Sequence, residues 1–177
     1  DDVAGLPATL LGACAEAARN AGEADASPEA GPWRVTLEHA VLGPFMQYAE
    51  RRDLREQLYR ASVARAASGD IDNTPVIARI LELRREMAQL VGYPDFAALS
   101  LAGKMAGAAE PVYAMFDRVG AAAIEPARAE LADLQRFAEA NGFADGPLRP
   151  WDTAYWARRQ VEARFGYSPE SLRPFFP

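Results

Sequence analysis

The residues that could do chemistry are few. The 177-residue chain holds one histidine, His39, and one cysteine, Cys14. A zinc hydrolase of the HExxH kind places two imidazoles one helical turn apart, so that both face one metal. One histidine cannot build that site, and neighbouring Glu38 and His39 do not share a helix face. Cys14 falls among alanines in ATLLGACAEAARN, where a small buried apolar residue is the simpler reading. A Cys14–His39 nucleophile pair is only a formal alternative. Neither G-x-x-x-x-G-K-[ST] nor G-x-G-x-x-G occurs, so phosphate cradling has no motif behind it. The expectation is no catalytic residue and no metal ligand in this chain.

The densest functional-looking stretch is RPWDTAYW, Arg149 to Trp156. On a helix, Trp151, Tyr155, Arg158 and Glu162 cluster, flanked by Ala154, Val161 and Phe165. That is a core stripe with amphipathic edges, and Asp152 falls in the first turn, where a carboxylate suits the helix dipole. Trp156 projects away from Tyr155 and must meet a second element or lie bare. The Arg84-Arg85 and Arg158-Arg159 doublets read as solvated helix faces.

Half the residues are hydrophobic and a quarter charged, enough for a core in one domain or at most two small ones. Alanine is abundant, which favours helix over sheet. The net charge of −6 argues against nucleic acid or an anionic membrane as partner, and Lys104 is the only lysine. No apolar run approaches the length of a membrane span, and the start DDVAGLP lacks the regions of a signal peptide. A lone cysteine fits a reducing, cytoplasmic setting.

Cap and period signals then place the elements. Pro7 opens a helix that Gly22 stops, and Ala21 to Pro32 is an exposed loop. WRVTLEH is the one strand candidate, and it needs a partner or is merely extended chain. Pro44 opens the next helix, and RRDLREQLYRASVARAA continues with Leu54, Leu58 and Ala61 at helical spacing. Asn73, Thr74 and Pro75 start a helix through Gly92 whose Ile77, Ile80, Leu81, Met87, Leu90 and Val91 share a face. Pro94 opens a short helix to Leu99. EPVYAMFDRVGAAAIEPARAELADLQRFAEANG is one long helix or two in tandem, with a kink or break expected near Ala122 to Glu125 from Pro126. A last helix runs to about Arg164, and Ser168 of SPES caps a short turn. The expected fold is all-α, a multi-helix domain over 1–177 with at most one short strand.

Several of these stretches follow one another in a familiar order. RRDLREQLYRA, LELRREMAQLVGYPDFA, the P-W-D-x-x-Y-aromatic motif and ESLRPFFP resemble the M3 zinc oligopeptidases across essentially the whole chain. The second aromatic of the W-D motif is commonly Tyr in that family and is Trp156 here. The resemblance implies part of a two-lobed, mostly helical peptidase with a deep channel that admits short peptides. It implies zinc for the full-length parent, held by an HExxH helix and a further glutamate beyond an LRPFFP-like segment, so no catalytic or metal residue carries over to this chain. It makes Trp151, Asp152, Tyr155 and Trp156 candidates for an interdomain or channel-wall position. The expected function is a non-catalytic fragment whose parent hydrolyses short peptides in the cytoplasm, as an endopeptidase or a dipeptidyl carboxypeptidase. The expected partners are the catalytic half of the same polypeptide and, through the parent, short peptides. Apolar surface facing that half, with Trp156, Phe175 and Phe176 as candidates, would be bare in the isolated chain and available for self-association. The alternative is a free-standing helical module that binds peptides or a protein without cutting.

Overall fold

The computed structural model describes residues 2–166, and they form helices joined by turns. The α-helices are α1 (Ala8–Asn20), α2 (His39–Tyr48), α3 (Arg52–Val63), α4 (Thr74–Leu90), α5 (Phe96–Leu101), α6 (Ala109–Ala140) and α7 (Pro150–Phe165). A 3-10 turn at Gly69–Ile71 precedes α4. No strand is present among the described residues. Residues 33–36 carry no regular structure and have no strand partner, 37–38 bend into α2, and the single isolated bridge among the described residues joins Ser27 to Gly31. The strand expected at WRVTLEH is therefore extended chain. Its Arg34 N–H donates to the carbonyl of Cys14 in α1 (3.0 Å), and Trp33 and Val35 pack on the core formed by α1 and α2. Packing of Val35 against the helices takes the place of a sheet partner here.

The chain sorts into two compact units. One holds residues 1–63 and 132–177, the other residues 64–131. In the first unit, Leu10, Cys14, Val41, Phe45 and Ala49 form a core with Leu6, Leu54 and Leu58 against it. A second cluster, Leu134, Ala138, Tyr155 and Trp156, brings the end of α6 onto α7. Gly5 sits at φ +81°, and a Cβ there would fall 2.4 Å from the carbonyl oxygen of Tyr48. Only glycine lets this turn lie against the end of α2, where the Glu50 N–H reaches the Ala4 carbonyl (3.1 Å).

Two prolines behave otherwise than expected. Helix α2 begins at His39, so Pro44 lies inside it rather than opening it. Helix α6 runs unbroken through Pro126. Each proline removes one N–H, and the residues four positions back, Ala40 and Ala122, are exposed, so water can serve the freed carbonyls. The expected cap at Ser168 lies outside the described residues.

The second unit contains α4, α5 and the first part of α6. Asp72 starts α4 by accepting from the Thr74 N–H (2.8 Å), and Asp95 caps α5 by accepting from the Ala98 N–H (2.8 Å). In α4 only Ala88 is buried, and the apolar face read from its periodicity is bare, with Leu90 87% exposed.

Candidate functional site

The RPWDTAYW stretch opens α7, with Pro150 in the first turn where its missing N–H costs nothing. Asp152 is 0% exposed. Its Oδ1 accepts from Arg52 Nε (3.0 Å) and Arg55 Nη2 (3.2 Å), and its Oδ2 from Arg52 Nη2 (2.9 Å) and the Arg149 N–H (3.0 Å). Arg52 thus grips the carboxylate with two parallel bonds, the strong form of this pair.

Arg55 is 2% exposed and its donors are nearly all used. Its Nε donates to the Trp151 carbonyl (3.0 Å), and its Nη1 donates to those of Ala49 (2.7 Å) and Glu50 (3.2 Å). Its guanidinium lies 4.1 Å from the Tyr155 ring centroid. Burial pulls its affinity for the proton down, while the Asp152 hydrogen bond pushes that of Arg52 up. Both stay charged, because arginine does not lose its proton in proteins.

Aromatic rings close the cluster. Trp151 lies 5.8 Å from Tyr59 between ring centroids, with the Arg60 guanidinium 5.0 Å from its ring. Trp156 meets Phe137, Phe143 and Tyr155 edge to face at 5.3–6.4 Å. It is 7% exposed, so the expectation that Trp156 lies bare is corrected: Phe137 on α6 and Phe143 beyond it supply the second element it needed. Phe175 and Phe176 lie outside the described residues. Phe165, placed on the core stripe from its spacing, is exposed.

All four site candidates, Trp151, Asp152, Tyr155 and Trp156, are therefore buried in one unit. A carboxylate offers about four acceptor positions. All four on Asp152 are taken, so it has none left for a substrate proton. The arrangement holds α3 to α7 as a clamp.

Sequence reasoning missed Arg52 and Arg55, although both stand in the quoted RRDLREQLYRA. Arg55 and Tyr59 are one turn apart on the helix face toward α7, which is a usable signal only once an acid is known to face it. The arginine doublet of α7 also departs from a solvated face. Arg158 Nε donates to the Gln47 carbonyl (3.0 Å) and its guanidinium lies 4.3 Å from the Tyr48 ring centroid; it is also paired with Glu162. Arg159 lies 4.5 Å from the Tyr155 ring centroid.

His39 and Cys14 do not form a site. His39 is exposed on the first turn of α2, and Cys14 is wholly buried in the core, where desolvation pushes its thiol up, away from the reactive thiolate. The folded chain should accordingly react with Ellman's reagent at least about tenfold more slowly than a free thiol, with urea restoring the rate. Fast labelling of the folded chain would contradict that burial.

The comparisons with known proteins follow the same motifs. The model of "Peptidase family M3" matches residues 45–177, which include both arms of the clamp. The chain belongs to peptidase family M3. It is 40% identical over 99% of its length to "Probable cytosolic oligopeptidase A" of Arabidopsis thaliana, covering 25% of that protein. It is 40% identical over 99% of its length to "Organellar oligopeptidase A, chloroplastic/mitochondrial" of the same plant, covering 22% of it. It is 36% identical over 99% of its length to "Oligopeptidase A" of Escherichia coli (strain K12), covering 25% of it. The chain thus spans about a quarter of the length of the curated relatives it matches.

The residues present do not fit the zinc that the M3 resemblance implies for a parent. A catalytic zinc takes three protein ligands, commonly paired histidines, and this chain has one. Among the described residues, no three His, Cys, Asp or Glu side chains gather closely enough to hold a metal. Among those residues too, no helix is long and apolar enough to cross a membrane.

Proposed function

We propose that these 177 residues form one helical domain, a non-catalytic part of an M3 zinc oligopeptidase whose parent hydrolyses peptide bonds in short peptides in the cytoplasm. The observation that carries this is the pairing of two family stretches. RRDLR and PWD meet as Arg52, Arg55 and Asp152, every acceptor position of the carboxylate is spent on holding helices, and no metal-ligand set stands beside it among the described residues. Trp151, Asp152, Tyr155 and Trp156 would then support a channel wall from behind, fixing α7 without touching peptide. One plant relative is named cytosolic and the other organellar, so the compartment rests on the lone buried cysteine and the first of these names.

The test is to incubate the chain with an internally quenched peptide and one equivalent of zinc, and to measure bound metal after dialysis. No turnover and far less than one zinc per chain are expected. Turnover that a chelator abolishes would overturn the non-catalytic reading.

A second reading is favoured by a specific feature. A cavity of about 440 Å³ in the first unit is lined by Leu6, Leu11, Cys14, Trp33, Phe45 and Leu58, among others. That size and apolar lining suit a small ligand or a peptide side chain. In this reading the chain is a free-standing helical module that binds peptides or a protein without cutting. Saturable quenching of Trp33 fluorescence by short apolar peptides, lost in Leu58→Glu, would favour the module; a flat titration would dismiss it.

A further inference from the structure

From Val112 to Leu131, α6 keeps one side apolar. At about 100° per residue, Val112, Tyr113, Phe116, Val119, Ile124 and Leu131 fall within roughly half the helix circumference. The last five of these are half exposed or more. Glu130 is the one charge inside that arc; Asp117 and Arg128 flank its edge, and Arg118 and Glu125 lie opposite, with Arg128 paired to Glu125 (2.6 Å). This is the pattern of a helix built to bury one face.

The same arc is covered further along. Leu134 and Ala138 fall on it, and they are buried against Tyr155 and Trp156 of α7. The stripe that finds a partner at one end of the helix therefore runs on uncovered at the other. Helix α4, in the same unit as the bare part of α6, also shows its apolar face without cover. Two amphipathic helices bare at once exceed the scattered surface apolars of an ordinary monomer.

We infer that the Val112–Leu131 stripe of α6 is a seat for further polypeptide of an M3 peptidase, supplied by the roughly three quarters of the relatives' length outside the matched region. The inference rests on the peptidase reading above. Relatives that match this chain almost end to end carry that much additional chain, and the stripe continues one that is already a helix-packing surface.

The test uses the whole chain twice, alone and grafted in place of the matched region of E. coli oligopeptidase A. Phe116→Glu puts a charge on the stripe, and Ala121→Glu puts one on the polar side as a control. In the isolated chain both variants should melt within about 2 °C of the parent, as exposed substitutions do. In the graft, F116E should lower the yield of soluble, peptide-cleaving enzyme several-fold, and A121E should not. Equal behaviour of the two grafted variants would overturn the inference. So would light scattering in which the isolated chain is a dimer that F116E alone dissociates, because the occupant would then be a second copy. A parent graft that neither folds nor cleaves peptide would instead overturn the peptidase reading, which separates the two failures.

Discussion

Asp152→Ala is expected to destabilise the chain by about 3–5 kcal/mol, the cost of leaving buried charge without its partner. Arg55 is 2% exposed, and without Asp152 its guanidinium and that of Arg52 face each other, with the more exposed carboxylates of Asp145, 3.6 Å from Arg52, and Glu56 left to offset the charge of Arg52. The change also strips the Arg149 N–H of its acceptor at the start of α7. At about 2–4 °C per kcal/mol for a chain of this size, the melting temperature should fall by roughly 6–20 °C. Arg52→Met should cost less, because Asp152 keeps Arg55 and the backbone bond. Urea unfolding followed by circular dichroism gives both values. A loss below about 1 kcal/mol for Asp152→Ala would mean that the pair is no more than a surface ion pair, against its burial.

Trp156→Ala should cost about 3–5 kcal/mol, as for a large aromatic removed from a core. The ring fills the space among Phe137, Phe143 and Tyr155. Trp156→Phe should cost only roughly 1–2 kcal/mol. The indole N–H is buried without an acceptor among the described residues, so losing it removes no hydrogen bond. A bare tryptophan would give less than about 0.5 kcal/mol in either substitution. Thermal unfolding of the two variants therefore separates packing from hydrogen bonding at this position.

The helices with local punctuation were legible in the sequence. Pro7 and Gly22 bound α1, Asn73-Thr74-Pro75 starts α4 and Asp152 falls in the first turn of α7, because caps and turns are set by neighbours in the chain. Pro44 misled for the same reason: a proline looks like a helix start unless the structure tolerates an orphaned carbonyl further back. Residues 33–38 misled because β-branched residues serve a helix-packed core as well as a sheet. Asp152 was legible as a first-turn acid but not as the centre of a clamp. Its partners lie about a hundred positions earlier, and no local pattern tells which arginine of α3 will be buried. Trp156 needed Phe137 and Phe143, which periodicity within α7 cannot supply. The amphipathic character of α4 and α6 was in the spacing, whereas the lack of cover over them was not.

The clamp also sets an order of events during synthesis. The unit containing α1, α2 and α3 takes its last helix from the far side of residues 64–131. Until α7 leaves the ribosome, α3 carries Arg55 with no anion to receive it, and the apolar sides of α2 and α3 that α7 covers are open. Closing so long an excursion slows assembly more than it weakens the finished fold, since the entropy of closure grows only with the logarithm of length. A nascent chain halted anywhere before Asp152 would therefore be a half-finished core with exposed apolar surface, the state that chaperones hold and that aggregates when they do not.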